Sequence, residues 1–386
     1  MKQHGTTVAS VHMDALRGLA ALAVFVGHWR NIFFTDLQTM AHPSILTKLA
    51  YGLTGLGHHA VIVFFVLSGY LVGSSAVRMC TRGWSWKEYL LQRMTRLWIV
   101  LIPALLLGAV WDVAGTHLFS SAAIYAGKGG QATIMVPVAQ RLSTNTLVGN
   151  LFFLQTISVP TLGSNGPLWS LANEFWYYIA FPMLLLAARD KGLAKRAAYA
   201  GGALLLLVLV GRGIAGYFLV WLLGVVVSFL PKTDIVRRHR PVLTGLLSFA
   251  VVAFSMATRW RHLEDLLPDL ALALLCMALV YVMVHAESAA PAGLYASAAR
   301  WSANMSYSLY LVHLPMLVFL QAMMSPDARW IPSLRSLALA LVALCAVFVY
   351  AVGIYAAFES NTNGVRRRVR RILDGFSPAL SPEGQG

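Results

Sequence analysis

Asp14, Arg17 and His28 fall within one apolar stretch near the start of the chain. A charge in hydrocarbon is costly, so such residues point to function first. Arg17 and His28 are eleven residues apart, about three helical turns, so they share a face and lie roughly 16 Å apart along the axis. Asp14, one turn before Arg17, is placed to pair with it. The plainer alternative is an anchoring Arg and an interfacial His beside Trp29. Glu174 follows Asn165-Gly166-Pro167, a turn and then a Pro suited to a helix start. It stands roughly 10 Å along the helix from that end. With His28 at similar depth, an imidazole–carboxylate pair is expected, an arrangement that fixes the tautomer of a catalytic His. Otherwise Glu174 hydrogen-bonds a nearby Ser, Tyr or Trp and only packs helices. Arg93 and Arg96, at i and i+3, share a face. Paired guanidiniums suit phosphate groups, although a topology anchor would look the same. Ser306, Tyr307, Tyr310 and His313 follow helical spacing, with a kink expected at Pro315; a lone His on such a face is more often a packing and hydrogen-bonding residue. His58 and His59 read as interfacial. No Cys or Asp cluster accompanies them, so no metal site is expected. Cys80, Cys276 and Cys345 are too widely spaced for a metal motif or a disulfide framework.

The elements that must position these residues are membrane helices. The 386 residues are 58% hydrophobic and 12% charged. A soluble domain carries about 25% charge, so this chain cannot clothe its surface for water. A net charge of +15 would suggest nucleic acid in a soluble protein; in a membrane protein it asks where the cations sit. The N-terminus lacks the cleavage pattern of a signal peptide, so the first apolar segment is taken as retained. Ten candidate spans follow: 12–34, 58–79, 95–115, 167–188, 196–211, 214–230, 241–258, 266–285, 303–324 and 334–358. The fifth and sixth are short and joined by Gly211-Arg212-Gly213, a tight hairpin or one broken unit. With the N-terminus inside, the inside loops collect most of the Lys and Arg, from Arg78–Arg96 to Arg366–Arg371. The expected fold is therefore an all-α integral membrane protein of about ten transmembrane helices with both termini cytoplasmic. Residues 1–363 form the membrane domain. Residues 364–386 form a basic cytoplasmic tail, expected to be disordered, whose RRRVRRIL suits anionic lipid or serves as a topology anchor. The longest connection, 116–166, holds a short apolar patch, Val148 to Leu154, expected to lie at the interface or to re-enter. No internal repeat is evident.

Five segments of this chain resemble the membrane acyltransferase family 3. MDALRGLAALAVFVGHW is similar to the family's opening helix, which carries an Arg and a His (Arg17, His28). VIVFFVLSGYLV resembles its Phe-Phe-x-x-Ser-Gly-aromatic segment (Phe64, Phe65, Ser68, Gly69, Tyr70). QRMTRLWIVLIP carries its Arg-x-x-Arg as Arg93 and Arg96, and PLWSLANEFWYY its Trp-Ser-Leu-x-x-Glu helix, with Trp169, Ser170, Glu174 and Tyr178. SYSLYLVHLP resembles its late Tyr-Ser-x-Tyr-x-x-His segment (Tyr307, Tyr310, His313). The match runs from about residue 13 to 359. The family often ends its last span with Glu-x-Pro; here Phe358-Glu359-Ser360-Asn361 keeps the acid and lacks the Pro. No soluble domain is expected after the last helix, which suggests a stand-alone membrane enzyme.

The resemblance implies an O-acyltransferase of the bacterial cytoplasmic (inner) membrane. Its co-substrate would be cytoplasmic acyl-CoA, acetyl-CoA above all, with no bound cofactor and no metal. The acceptor would be a hydroxyl of an extracytoplasmic or lipid-linked saccharide, such as an exopolysaccharide or lipopolysaccharide unit. Arg17, Arg93 and Arg96 would bind the donor from inside, and His28 would be essential, as general base oriented by Glu174 or as acyl carrier. Asp14, Ser68, Trp169, Ser170, Tyr178, Tyr307, Tyr310, His313 and Glu359 would support them. Two rivals compete. One keeps the chemistry and moves it to a small hydroxylated metabolite such as a macrolide. The other is a proton-coupled transporter, which also lines helices with Arg, His and Glu but usually shows inverted repeats or paired broken helices.

Overall fold

The structure, a computed structural model, describes residues 7–375 apart from 132, 133, 262, 264 and 291. The described residues are all-helical, with no strand. In chain order the helices are α1 (Val8–Phe33), α2 (Ile45–Thr54), α3 (Gly57–Thr81), α4 (Trp86–Leu118), α5 (Thr144–Leu151), α6 (Leu168–Arg189), α7 (Leu193–Leu209), α8 (Gly211–Val226), α9 (Asp234–Trp260), α10 (Leu266–Met283), α11 (Leu294–Met324), α12 (Leu334–Ala357) and α13 (Thr362–Gly375). Eight helical stretches among the described residues are long and apolar enough to cross a membrane. Every span expected from the sequence has a helix, but the fifth and sixth are short: α7 has 17 residues and α8 has 16, roughly 25 Å each. Only Val210 separates them, and Gly211 makes the break at φ +85°, a conformation open to glycine.

Three parallel helices form the heart of the molecule. α1 packs along α11, and α11 packs along α4. The end where these three begin is called the near face below, and the end where they finish the far face. The start of α1 is fixed by a capping box, in which Thr7 and Ser10 each satisfy the other's backbone N–H at 3.2 and 3.1 Å. α3 crosses α8 at Gly69 and Gly224. A Cβ at either position would collide with the backbone carbonyl of Trp221 or Val66. This small-residue contact replaces the hydrophobic drive that lipid cannot supply, and it sets α3 so that its neighbour Ser68 faces inward. Outward positions such as Leu204, Val208, Phe249, Val342 and Val349 stay exposed, as lipid-facing residues should.

The connection 116–166 is folded into the bundle. Trp98 and Trp176 donate through their indole nitrogens to the carbonyls of Leu151 and Phe153, at 3.0 and 2.9 Å. Phe153 is fully buried and stacks on Phe175 with ring centroids 4.2 Å apart. The apolar patch Val148–Leu154 thus lies between α4 and α6, where irregular backbone is tolerated because protein satisfies it. The tail departs from expectation. Residues 362–375 are helical rather than disordered, while 376–386 lie outside the described residues. This helix docks on the start of α4: Lys87 meets Asp374 at 2.9 Å, Arg370 pairs with Glu88, and Arg366 donates to Thr95 at 3.2 Å.

Candidate active site

A cavity of about 180 Å³ opens between α1, α3, α4, α6 and α11. Arg17, Arg93 and Arg96 line it together with Glu174, Ser68, Ser170, Tyr178, Ser306, Tyr307 and Tyr310, over an apolar wall that includes Val61, Phe64, Leu71 and Leu171. All five sequence segments therefore contribute to one space, the α1 segment through Arg17 alone.

Each polar side chain has a reason to be where it is. Arg17 holds Asp14 at 3.2 Å, one turn back on α1. Arg93 lies over the rings of Tyr89 and Tyr178, at 5.5 and 5.7 Å from their centroids, so its charge rests on aromatic faces. The Nε atoms of Arg17 and Arg93 are buried without a hydrogen-bond partner. Glu174 Oε1 accepts from Ser68 at 2.6 Å and from the hydroxyl of Tyr178 one turn along α6. Ser68 Oγ in turn accepts from the indole of Trp221 at 3.2 Å. Ser170 and Tyr310 share a hydrogen bond of 2.7 Å, and Tyr307 donates to the carbonyl of Leu97 at 2.9 Å. The carboxylate thus shares one cavity with three guanidiniums and is held by two hydroxyls.

The expected pairing of His28 with Glu174 is not what the structure has. The hydrogen bonds of Glu174 go to Ser68 and Tyr178, and Nδ1 of His28 meets Nε2 of His313 at 2.8 Å. The two rings lie nearly parallel, 17° apart, with centroids 5.1 Å apart. The reason is helix alignment. His28 lies roughly 30 Å from the start of α1, and His313 roughly 29 Å from the start of α11. Parallel neighbours put those two positions at one level. The sequence alone placed the start of this span at 303, which hid the match; its first turns, LYASAARWSAN, lack the apolar run that marks a span.

The partners of the pair fix its tautomers. His313 is fully buried, and its Nδ1 faces the carbonyl of Leu309 at 2.9 Å. A carbonyl only accepts, so Nδ1 of His313 carries the proton. In the neutral pair Nε2 of His313 is then the acceptor, and Nδ1 of His28 the donor. That leaves the Nε2 lone pair of His28 as the basic atom. His28 is half-buried whereas His313 is not exposed. Pro315 shapes the same segment. It cannot donate to the carbonyl of Leu311, and the side-chain amide of Asn165 donates there instead at 2.8 Å. The turn before α6 is thereby tied to the Pro315 turn of α11.

Tyr310 joins the two parts of the site. It lines the cavity, and its ring centroid lies 6.3 Å from that of His313, one turn further along α11. Besides Asp14 and the two histidines, Trp169 and Glu359 stand outside the cavity wall. Trp169 packs edge-on against Phe65 at 6.0 Å. Glu359 accepts from the backbone N–H and hydroxyl of Ser308 at 3.0 and 2.6 Å, which steadies α11 beside Tyr307. The sequence marked Asn165 only as part of a turn and did not mark Trp221; the Pro at the fourth residue after Leu311 was the available signal for the bond of Asn165.

Residues 11–356 match the model of an acyltransferase domain, acyltransferase family 3. A curated relative, acyltransferase MdmB of Streptomyces mycarofaciens, is 31% identical over 175 residues, covering 44% of this chain. The alignment spans 38% of that relative's length. No solved structure matches. The family match covers the three central helices, the arginine cavity and both histidines, and the chain belongs to the membrane acyltransferase family 3.

Proposed function

We propose that the protein moves an acyl group, most simply acetyl, from cytoplasmic acyl-CoA to a hydroxyl of an extracytoplasmic or lipid-linked saccharide in the bacterial cytoplasmic membrane. In this reading the near face is cytoplasmic, α7 and α8 complete ten crossings, and both termini are inside. The observation that carries it is the adjacency of two parts: a cavity lined by three arginines, and beside it the half-buried His28, whose partner His313 packs against the cavity residue Tyr310.

Arg93, Arg96 and Arg17 hold the phosphates of the donor. The thin pantetheine arm enters the cavity and brings the thioester towards the histidine pair. Nε2 of His28 removes the proton of the acceptor hydroxyl, whose oxygen attacks the thioester carbon. The C–S bond breaks, and the leaving thiolate takes the proton back from His28. The products are an ester and the free thiol of CoA. While His28 is protonated, its Nδ1–H still donates to Nε2 of His313, which keeps the ring in place. The same lone pair can instead take the acyl group itself and pass it on. Glu174 balances the arginine charge and orders Ser68 and Tyr178 in the cavity, rather than orienting His28.

The test is mass spectrometry of surface glycans from a deletion strain. Loss of one acetyl increment, restored by the wild-type gene and not by His28→Ala, is the expected result. Unchanged glycans with loss of an acyl group from a small secreted metabolite would move the acceptor to that class. Incubation with radiolabelled acetyl-CoA alone separates the two chemical routes: label retained on His28 marks the acyl carrier, and no retained label marks the base.

A further inference from the structure

A second cavity, about 260 Å³, lies at the far face where α1 and α9 end beside α2. Arg30, Asp36, Gln38, Tyr51, Arg259 and Trp260 line it. Arg30 is the unusual member. It is only 6% exposed, and its Nε is buried without a hydrogen-bond partner. Its guanidinium lies 4.9 Å over the ring of Tyr51, and it makes no ion pair among the described residues. Asp36 does not neutralise it. Both carboxylate oxygens of Asp36 are held by Arg329, at 3.2 and 2.8 Å, in the two-pronged geometry that satisfies a carboxylate. Arg259 adds a second guanidinium to the wall.

A desolvated cation without a counter-charge is destabilising unless something meets it. The last carbonyls of α1 supply part of that. The remainder of the guanidinium fork matches an incoming carboxylate or phosphate. Trp260 is 66% exposed at the rim, and its ring with that of Tyr51 gives flat apolar faces of the kind that pack against sugar C–H groups. A cation, two aromatic faces and an amide in one concave space are what an acidic hydroxylated ligand requires.

We propose that this cavity binds an oxyanion, carboxylate or phosphate, carried by the acyl acceptor; the proposal rests on the acyl-transfer reading above. Arg30 is two residues beyond His28, on a different face of α1. The site therefore anchors a part of the acceptor remote from the reacting hydroxyl, a use of distant binding energy common in enzymes.

The experiment uses the full chain in nanodiscs of neutral lipid, with binding of D-glucuronate, inorganic phosphate and D-glucose followed by tryptophan fluorescence. Wild type is expected to bind glucuronate or phosphate about tenfold or more tightly than glucose. Arg30→Gln is expected to erase that preference, Arg30→Lys to keep part of it, and all three proteins to bind acetyl-CoA equally. Equal binding of glucuronate, phosphate and glucose by wild type would overturn the proposal without need of any variant. So would an anion preference that survives in a folded Arg30→Gln protein. Nanodiscs containing phosphatidylglycerol form a further arm: if that lipid abolishes the preference by occupying the cavity, the site belongs to lipid headgroups and the proposal fails. Failure to bind acetyl-CoA at all would strike the acyl-transfer reading instead, and is read separately.

Discussion

The arginine cavity and the histidine pair lie one helical turn apart on α11, and they are built from opposite materials. The cavity holds four formal charges, and three are answered by protein groups: Arg17 by Asp14, Arg93 by two tyrosine rings, Glu174 by Ser68 and Tyr178, while Arg96 is exposed. The pair holds rings whose hydrogen bonds work with both neutral, and its outer support is a backbone carbonyl. The difference follows from the work each would do. Phosphates need fixed positive charge, and several partners spread its desolvation cost. A base needs a lone pair, so a neutral partner that pins the tautomer suits it better than a carboxylate that would hold it protonated.

The comparison breaks most sharply at His28. Replacing it by Ala should lower transfer by about 10³-fold or more, with the protein still monodisperse by size-exclusion in detergent. Activity near wild type in that variant would end the histidine half of the account. His313→Phe keeps a ring of similar size and removes the acceptor for Nδ1 of His28. It should reduce kcat by about 10²-fold while donor KM stays put, as measured by steady-state kinetics. Glu174→Gln sharpens the contrast, because the structure separates it from His28: the pH profile of kcat should keep its shape in this variant and change in His313→Phe. A profile altered equally by both would restore the imidazole–carboxylate pairing. Arg93→Ala should raise donor KM about tenfold, the worth of one charge-assisted hydrogen bond, with acceptor KM little changed; equal effects on both would make Arg93 an anchor. Ser68→Ala is the mildest, costing about 1 kcal/mol and a few-fold in rate, seen in the same assay.

Much of this was legible in the sequence, for a stated reason. Apolar length is a compositional signal, so α1, α3, α4, α6 and α9–α12 could be found without knowing any contact. Charges within them stood out because lipid makes them rare, and Arg17, Arg93, Arg96 and Glu174 do share one cavity. Partners were less legible. Which of two buried groups meets His28 depends on helix rotation and on where α11 begins, and the weakly apolar turns from Leu294 concealed that start. The docking of α13 was hidden for a similar reason. A run of arginines reads as a solvated tail until the start of α4 supplies Glu88 and Thr95 to meet it, and Lys87 to meet Asp374. The burial of Arg30 was not legible either, because burial is not written in a residue's sequence neighbours.

The central claim is that donor holding and acyl transfer belong to two separable parts of one site. It is tested most directly by measuring acetyl-CoA binding and single-turnover transfer side by side on His28→Ala and Arg93→Ala. The account predicts a crossover: His28→Ala binds donor as wild type does and does not transfer, while Arg93→Ala binds donor weakly and transfers at close to the wild-type rate once saturated. If His28→Ala lost donor binding together with transfer, or Arg93→Ala lost transfer at saturating donor, the division between cavity and histidine pair would be contradicted.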